Sequence, residues 1–252
     1  MMEDISGQSV WITGAGTGIG RAMAIAFAHA GCRVAITGRR PEPLAETLRL
    51  APGVVSIQGD VSTPEGVTQA HEAVVQAIGP VQIMINNAGT NVPKRAWRDL
   101  SPADMASVVD VNLKGPFLCT LAVLPAMRTA RCGLIIHTVS NAATGIYAVA
   151  GPTYTASKHG ARAMSATLNA EEGIHGIRSV CINPGEVETP ILDARPHPPS
   201  APDRALMVQP EDIAEAALFA ARMPHRTCMA EMLITPTDNN FYRATAHALA
   251  AS

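Results

Sequence analysis

Thr13-Gly14-Ala15-Gly16-Thr17-Gly18-Ile19-Gly20 stands between the apolar run Val10-Trp11-Ile12 and a stretch of helical periodicity. In that stretch Ile19, Met23, Ala26, Phe27 and Ala30 share one face, and Gly31 closes it. A glycine-rich turn that leaves a buried strand and opens a helix is the setting of a dinucleotide fingerprint. Glycines permit the tight turn and let backbone come close to a pyrophosphate, while the helix N-terminus supplies N–H donors and a favourable dipole.

The same alternation continues outward. Arg33–Thr37, Val54–Gln58, Val81–Ile85, Leu134–Thr138, Arg178–Ile182 and Met232–Ile234 read as further strands separated by helical segments. Strands apolar on both faces and alternating with helices predict a doubly wound α/β fold: one parallel sheet of about seven strands with helices on both faces. No internal repeat and no linker divides the 252 residues, so one domain is expected. Pro184 to Pro202 is dense in proline (184, 190, 196, 198, 199 and 202) and reads as a substrate flap or a tethered surface loop, the flap being preferred.

Bulk composition excludes several classes. A net charge of −2 advertises no nucleic-acid or anionic-lipid surface. No apolar run reads as a membrane helix, and the acidic start Met1–Gly7 does not read as a targeting signal. Five scattered cysteines without a CxxC suit a reducing, cytoplasmic setting, and the dispersed histidines predict no metal site.

Chemistry concentrates in Tyr154-Thr155-Ala156-Ser157-Lys158. Four residues apart, Tyr154 and Lys158 share a helix face, where an ammonium is expected to depress the phenol pKa toward working pH. A phenol so tuned can give a proton to a ketone or take one from an alcohol. The second strand ends in Thr37-Gly38-Arg39-Arg40 with no carboxylate for a ribose 2′-hydroxyl. Arg39 or Arg40 suits a 2′-phosphate, so NADP is preferred and NAD is the alternative. Asp60, after the third strand, could accept from an adenine amino group or cap the next helix, a role also open to Ser62 or Thr63.

Together with the glycine turn, Asn86-Asn87-Ala88-Gly89, Val111-Asn112-Leu113, Ser140, Tyr154-x-x-x-Lys158 and Pro184-Gly185-x-Val187-x-Thr189 make the chain resemble the short-chain dehydrogenase/reductase family over nearly its whole length. The resemblance implies a single Rossmann-like domain moving hydride between NAD(P)(H) and a carbonyl or alcohol. Tyr154 would be general acid or base, and Lys158 would hold the nicotinamide ribose. Ser140 would hydrogen-bond the substrate oxygen, and Asn112 would position a water leading to solvent. Gly14, Thr17, Gly18, Ile19, Gly20, Asn87, Ala88 and Gly89 would line the cofactor, with Asp60 and Val61 at the adenine. Pro184, Gly185 and Val187 would lie along it, and Thr189 would reach the carboxamide. A homotetramer or dimer is implied, and an epimerase, a dehydratase or an inactive cofactor-binding regulator are the alternatives.

Three departures stand out. The family usually places its serine thirteen residues before the tyrosine, where this chain has Asn141, so either Ser140 or Asn141 supplies the donor. Thr17 occupies a position in the glycine turn where NADP enzymes often carry a basic residue. The C-terminal stretch Thr235-Pro236-Thr237-Asp238-Asn239-Asn240 lacks the usual Asp-Gly-Gly. On the substrate side, Thr90–Trp97, Ala142–Thr153 and the proline-rich segment are expected to meet the ligand. Ile146, Tyr147, Val149, Pro152, Pro190, Ile191 and Leu192 predict an apolar pocket, with Lys94, Arg95 and Arg98 read as exposed loop charges.

Overall fold

The computed structural model describes residues 2–195 and 197–239. Seven strands form one sheet: β1 (Ser9–Thr13), β2 (Arg33–Gly38), β3 (Val55–Gln58), β4 (Ile83–Asn86), β5 (Gly133–Thr138), β6 (Ile177–Pro184) and β7 (Glu231–Ile234). Their order is β3-β2-β1-β4-β5-β6-β7, and every pairing is parallel. Each predicted strand is present, with ends moved by two residues at most. Asn240 and Pro196, which the sequence reading included, lie outside the described residues.

Alternate side chains of β1 explain why both faces need cover. Val10 and Ile12 join the core shared with α1 (Gly18–His29), α2 (Pro41–Leu50) and α8 (Pro210–Ala221). Trp11 points into the opposite core, with α3 (Pro64–Ile78) and α5 (Gly115–Ala130). Its indole N–H donates to Thr37 Oγ1 at 2.8 Å, so the large ring is buried without an orphaned donor.

The order of strands reverses between β1 and β4. In a doubly wound sheet the loops beyond the carboxyl ends of such strands part and leave a crevice. Gly14 and Ala88 leave those two ends and meet there: a Cβ built on Gly14 would lie 2.7 Å from Ala88 Cα. Gly14 also has φ +66, which favours glycine.

α4 (Pro102–Val109), a π turn (Asp110–Lys114) and α5 run on continuously. By length and composition this helix, 102–130, could cross a membrane, where the sequence reading expected no such run. In the fold Cys119, Val123, Leu124 and Met127 are buried in the sheet's core, and that packing accounts for their apolarity. α6 (Pro152–Glu172) follows β5 and carries the Tyr154/Lys158 pair. α7 (Ala201–Ala205) begins at the end of the proline-rich segment.

Gly14→Ala is expected to lower the urea midpoint markedly, because left-handed strain of about 1–2 kcal/mol adds to the collision with Ala88. Gly53→Ala is the control, since Gly53 has φ +93 but no atom within 4 Å of its added Cβ. Equal losses at the two positions would show that the contact with Ala88 carries no energy.

Candidate active site

A cavity of about 350 Å³ runs along the carboxyl ends of the strands. At one end lies the glycine turn. Thr17, the residue before α1, makes no side-chain hydrogen bond to the helix, and the first turn contains no acid. The amide donors at this terminus therefore suit an anion. Gly18, at φ +53, faces Thr189 so closely that a Cβ would lie 3.0 Å from its methyl group. Thr47 steadies the turn from behind, donating to Ala15 O at 2.9 Å.

Seventeen residues anticipated along a cofactor do line this cavity: Gly14, Thr17, Gly18, Ile19, Arg39, Arg40, Asp60, Val61, Asn87, Ala88, Gly89, Tyr154, Lys158, Pro184, Gly185, Val187 and Thr189. Gly20 does not. A Cβ there would lie 2.3 Å from Asn87 Nδ2 and 2.6 Å from Gly14 O, so its role is close packing of helix on turn. Arg39 and Arg40 are exposed at the cavity edge. Burial works to raise the Asp60 carboxyl, but the Ser62 amide and hydroxyl, with Arg39 and Lys114, hold it below the usual range. Thr63 caps α3 by accepting from Gly66 N, which leaves Asp60 on the cavity side.

At the other end α6 presents Tyr154 and Lys158. The Lys158 ammonium lies 5.5 Å from the Tyr154 ring centre and donates to Thr138 O, at the end of β5, at 2.8 Å. Burial pulls Lys158 down to about 8. His137, behind it, is pushed down to about 3 by burial and by Lys158, so it stays neutral. Asn112 does not line the cavity. It sits buried in the π turn, a device often found at functional sites, and clamps the Thr90 backbone from both sides. It accepts from Thr90 N at 2.8 Å and donates to Thr90 O at 2.9 Å, with Ser157 Oγ at 3.3 Å.

The expected lowering of the Tyr154 pKa by Lys158 is not what the structure gives. Burial raises the phenol above its usual value, and the groups that oppose this are Ser140, Arg195 and Arg95. Lys158 is turned to Thr138 O and is not among the groups that lower the phenol. The phenol is thus held above, and not below, its usual range. Both candidate donors line the cavity; the Ser140 hydroxyl opposes the rise of the Tyr154 phenol, accepts from Ala142 N at 3.1 Å and donates to Asn141 Oδ1 at 3.2 Å. Asn141 opens a 3-10 turn, and a second one follows at Ala148–Ala150, between Ser140 and Tyr154.

The substrate side is less apolar than anticipated. Tyr147, Val149, Pro190, Ile191 and Leu192 line it, but Ile146 and Pro152 do not. Arg95, expected in solvent, is 9% exposed, whereas Lys94 and Arg98 are exposed. Arg195, Glu186 and Asn91 also face the cavity, within the segments expected to meet the ligand although these polar residues were not singled out. The proline-rich segment is tied down: Arg195 pairs with Glu186 at 2.7 Å, and Arg204 pairs with Glu188 at 3.0 Å and with Asp193.

A buried ammonium destabilises the fold while it is charged. With an ordinary value of 10.5 lowered to about 8, the unfolded chain binds more protons between these limits, so stability rises with pH across that window. Lys158→Met is expected to melt several degrees above the wild type at pH 7, with the gap closing between pH 8 and 10.5. A Lys158→Met protein that melts lower throughout would contradict this.

Comparison with known proteins places the chain in a family. The short chain dehydrogenase family model matches residues 8–199. A mitochondrial borneol dehydrogenase from Lavandula x intermedia is 35% identical over 224 residues, 88% of this chain and 86% of its own. A closed-form serine dehydrogenase complexed with NADP+ superposes with a TM-score of 0.85 at 27% identity, covering 92% of this chain and 96% of its own. The 3-ketoacyl-(acyl-carrier-protein) reductase of Brucella melitensis, complexed with NADH, has a TM-score of 0.82 at 26% identity, covering 92% and 98%. The family model spans most of the chain and the fold superposes on solved relatives, so the chain is a short-chain dehydrogenase, an oxidoreductase.

Proposed function

We propose that this enzyme transfers hydride between a nicotinamide cofactor, NADP in preference to NAD, and a ketone or secondary alcohol. The observation that carries the reading is a single cavity joining an uncapped helix N-terminus and two arginines to a Ser140–Tyr154–Lys158 cluster. The residues fit a dinucleotide: Gly14 and Gly18 let the turn pack against Ala88 and Thr189 where a side chain would collide, the α1 N-terminus is left uncapped, and Arg39 and Arg40 stand where a phosphate would need them. Asp60 and Val61 would meet the adenine, Thr189 the carboxamide and Lys158 the ribose hydroxyls. Bound there, the cofactor supplies or accepts hydride at its nicotinamide ring.

Ser140 donates to the substrate oxygen, where negative charge grows during reduction. Tyr154 delivers a proton to that oxygen during reduction. Oxidation needs the phenolate and gains from rising pH. Asn112 holds the Thr90 backbone beside Lys158 and positions the water through which protons are replaced.

Residues 1–252 form one catalytic domain in this reading, and Pro184–Pro202 is its substrate flap. Assembly with further copies is supported by exposed Phe117 and Leu121 on α5 and by Phe219 and Leu233 near the sheet's last strand. Five free cysteines support a cytoplasmic setting.

Tyr154→Phe should lower kcat by at least about 100-fold while NADPH binding, followed by fluorescence titration, stays within about threefold. Replacing Arg39 and Arg40 by Ala should weaken NADPH by about 10-fold or more and NADH much less. Retained turnover in the first variant, or equal losses for both cofactors in the second, would refute the corresponding assignment.

A further inference from the structure

Arg95 lies in the loop between β4 and α4, and its guanidinium joins three segments around the substrate end of the cavity. Nε donates to Val92 O at 2.8 Å, Nη1 to Val149 O at 3.5 Å and Nη2 to Ala194 O at 2.6 Å. All three acceptors are neutral carbonyls. None of the ion pairs among the described residues includes Arg95. A permanent positive charge is therefore held nine-tenths buried, without a carboxylate, on the same cavity lining as Ser140 and Tyr154.

Such a charge is expensive: an unpaired buried ion costs several kcal/mol. A guanidinium has five N–H groups, so two remain beyond the three carbonyl bonds, and its planar fork suits a carboxylate. The neighbouring Arg195 is answered by Glu186 at 2.7 Å. The Arg95–Arg195–Glu186 group thus carries one excess positive charge, which matches a monoanion, and Glu186 disfavours a dianion such as a phosphate. Beside these groups the lining is Val149, Ile191 and Leu192, which suits a short carbon skeleton. The Arg95 charge reaches Tyr154, where it favours the phenolate.

We propose that the substrate is an oxo acid, or the corresponding hydroxy acid, whose carboxylate is held by Arg95 while its carbonyl or alcohol oxygen faces Ser140 and Tyr154. This rests on the hydride-transfer reading above and narrows it. Overall, hydride from the reduced cofactor adds to the carbonyl carbon and a proton from Tyr154 to its oxygen, giving the hydroxy acid and oxidised cofactor. The carboxylate takes no part in the bond changes.

The test uses the full-length protein with saturating cofactor. A series of oxo acids with spacers of increasing length is compared with the methyl ester of each. At least one acid should exceed its ester in kcat/KM by about 100-fold, the scale expected when a buried charge gains or loses its partner. Arg95→Met should reduce that ratio to within a few-fold of one, and Arg95→Lys should keep part of it. Because Arg95 also ties three loops, a second measurement uses wild-type protein alone. Simple aliphatic carboxylates should inhibit reduction of a neutral ketone competitively, and inorganic phosphate should not.

Esters used as well as their acids, or a ratio unchanged in Arg95→Met, would overturn the proposal while leaving hydride transfer intact. Competitive inhibition by phosphate without inhibition by carboxylates would overturn the carboxylate assignment. Failure of every ketone, acid and ester to turn over either cofactor would instead refute the hydride-transfer reading, and the proposal with it.

Discussion

A lysine ammonium buried against the end of a strand, Lys158 on Thr138 O at 2.8 Å, is the interaction on which the site depends. It pins α6 to the carboxyl end of β5 and so fixes where Tyr154 points. The contact is energetically poor, because one neutral carbonyl does not replace the hydration of an ammonium. The surroundings limit the damage in a definite way. His137 stays uncharged behind it, and Asn112, held in a π turn, keeps the Thr90 backbone in place beside it. Strain of this sort is expected where function, rather than stability, has chosen the residue.

The two ends of the cavity are built on opposite principles. At the glycine turn the protein offers backbone amides and exposed arginines, which attract an anion without much desolvation beforehand. At the substrate end the charges are enclosed: Arg95 is buried among carbonyls, and Arg195 is matched by Glu186. Arg95 bonds Ala194 O, Val149 O and Val92 O, so the lining is held by the same group that gives it charge. The ion pairs of Arg204 with Glu188 and Asp193 fasten the proline-rich segment further out.

Much of this was legible in the sequence, for identifiable reasons. The inner strands are short apolar runs buried on both sides, a signal that depends on nothing distant, and the glycine turn declares itself by its place between β1 and α1. Tyr154 and Lys158 share a face because four residues make about one helical turn. The rest depends on contacts far apart in the chain. Arg95 is buried by Val149 and Ala194, 54 and 99 residues away, which no local pattern encodes. The direction of the Tyr154 shift failed for the same reason: the spacing gave the neighbour correctly, but burial raises the phenol, and the groups that oppose it are Ser140, Arg195 and Arg95. Gly20 looked like a ligand contact because it belongs to the motif, yet the structure uses it for packing against Asn87.

The central claim is that hydride passes directly between the nicotinamide and the substrate carbon in the cavity that Tyr154 and Lys158 share. The most direct measurement is the fate of deuterium carried at the hydride position of NADPH during reduction of an accepted ketone, read by mass spectrometry of the product alcohol. The account predicts one deuterium on the carbinol carbon, retained in ordinary water. Product without that label from both cofactor epimers, or label arising only when the reaction is run in heavy water, would contradict it.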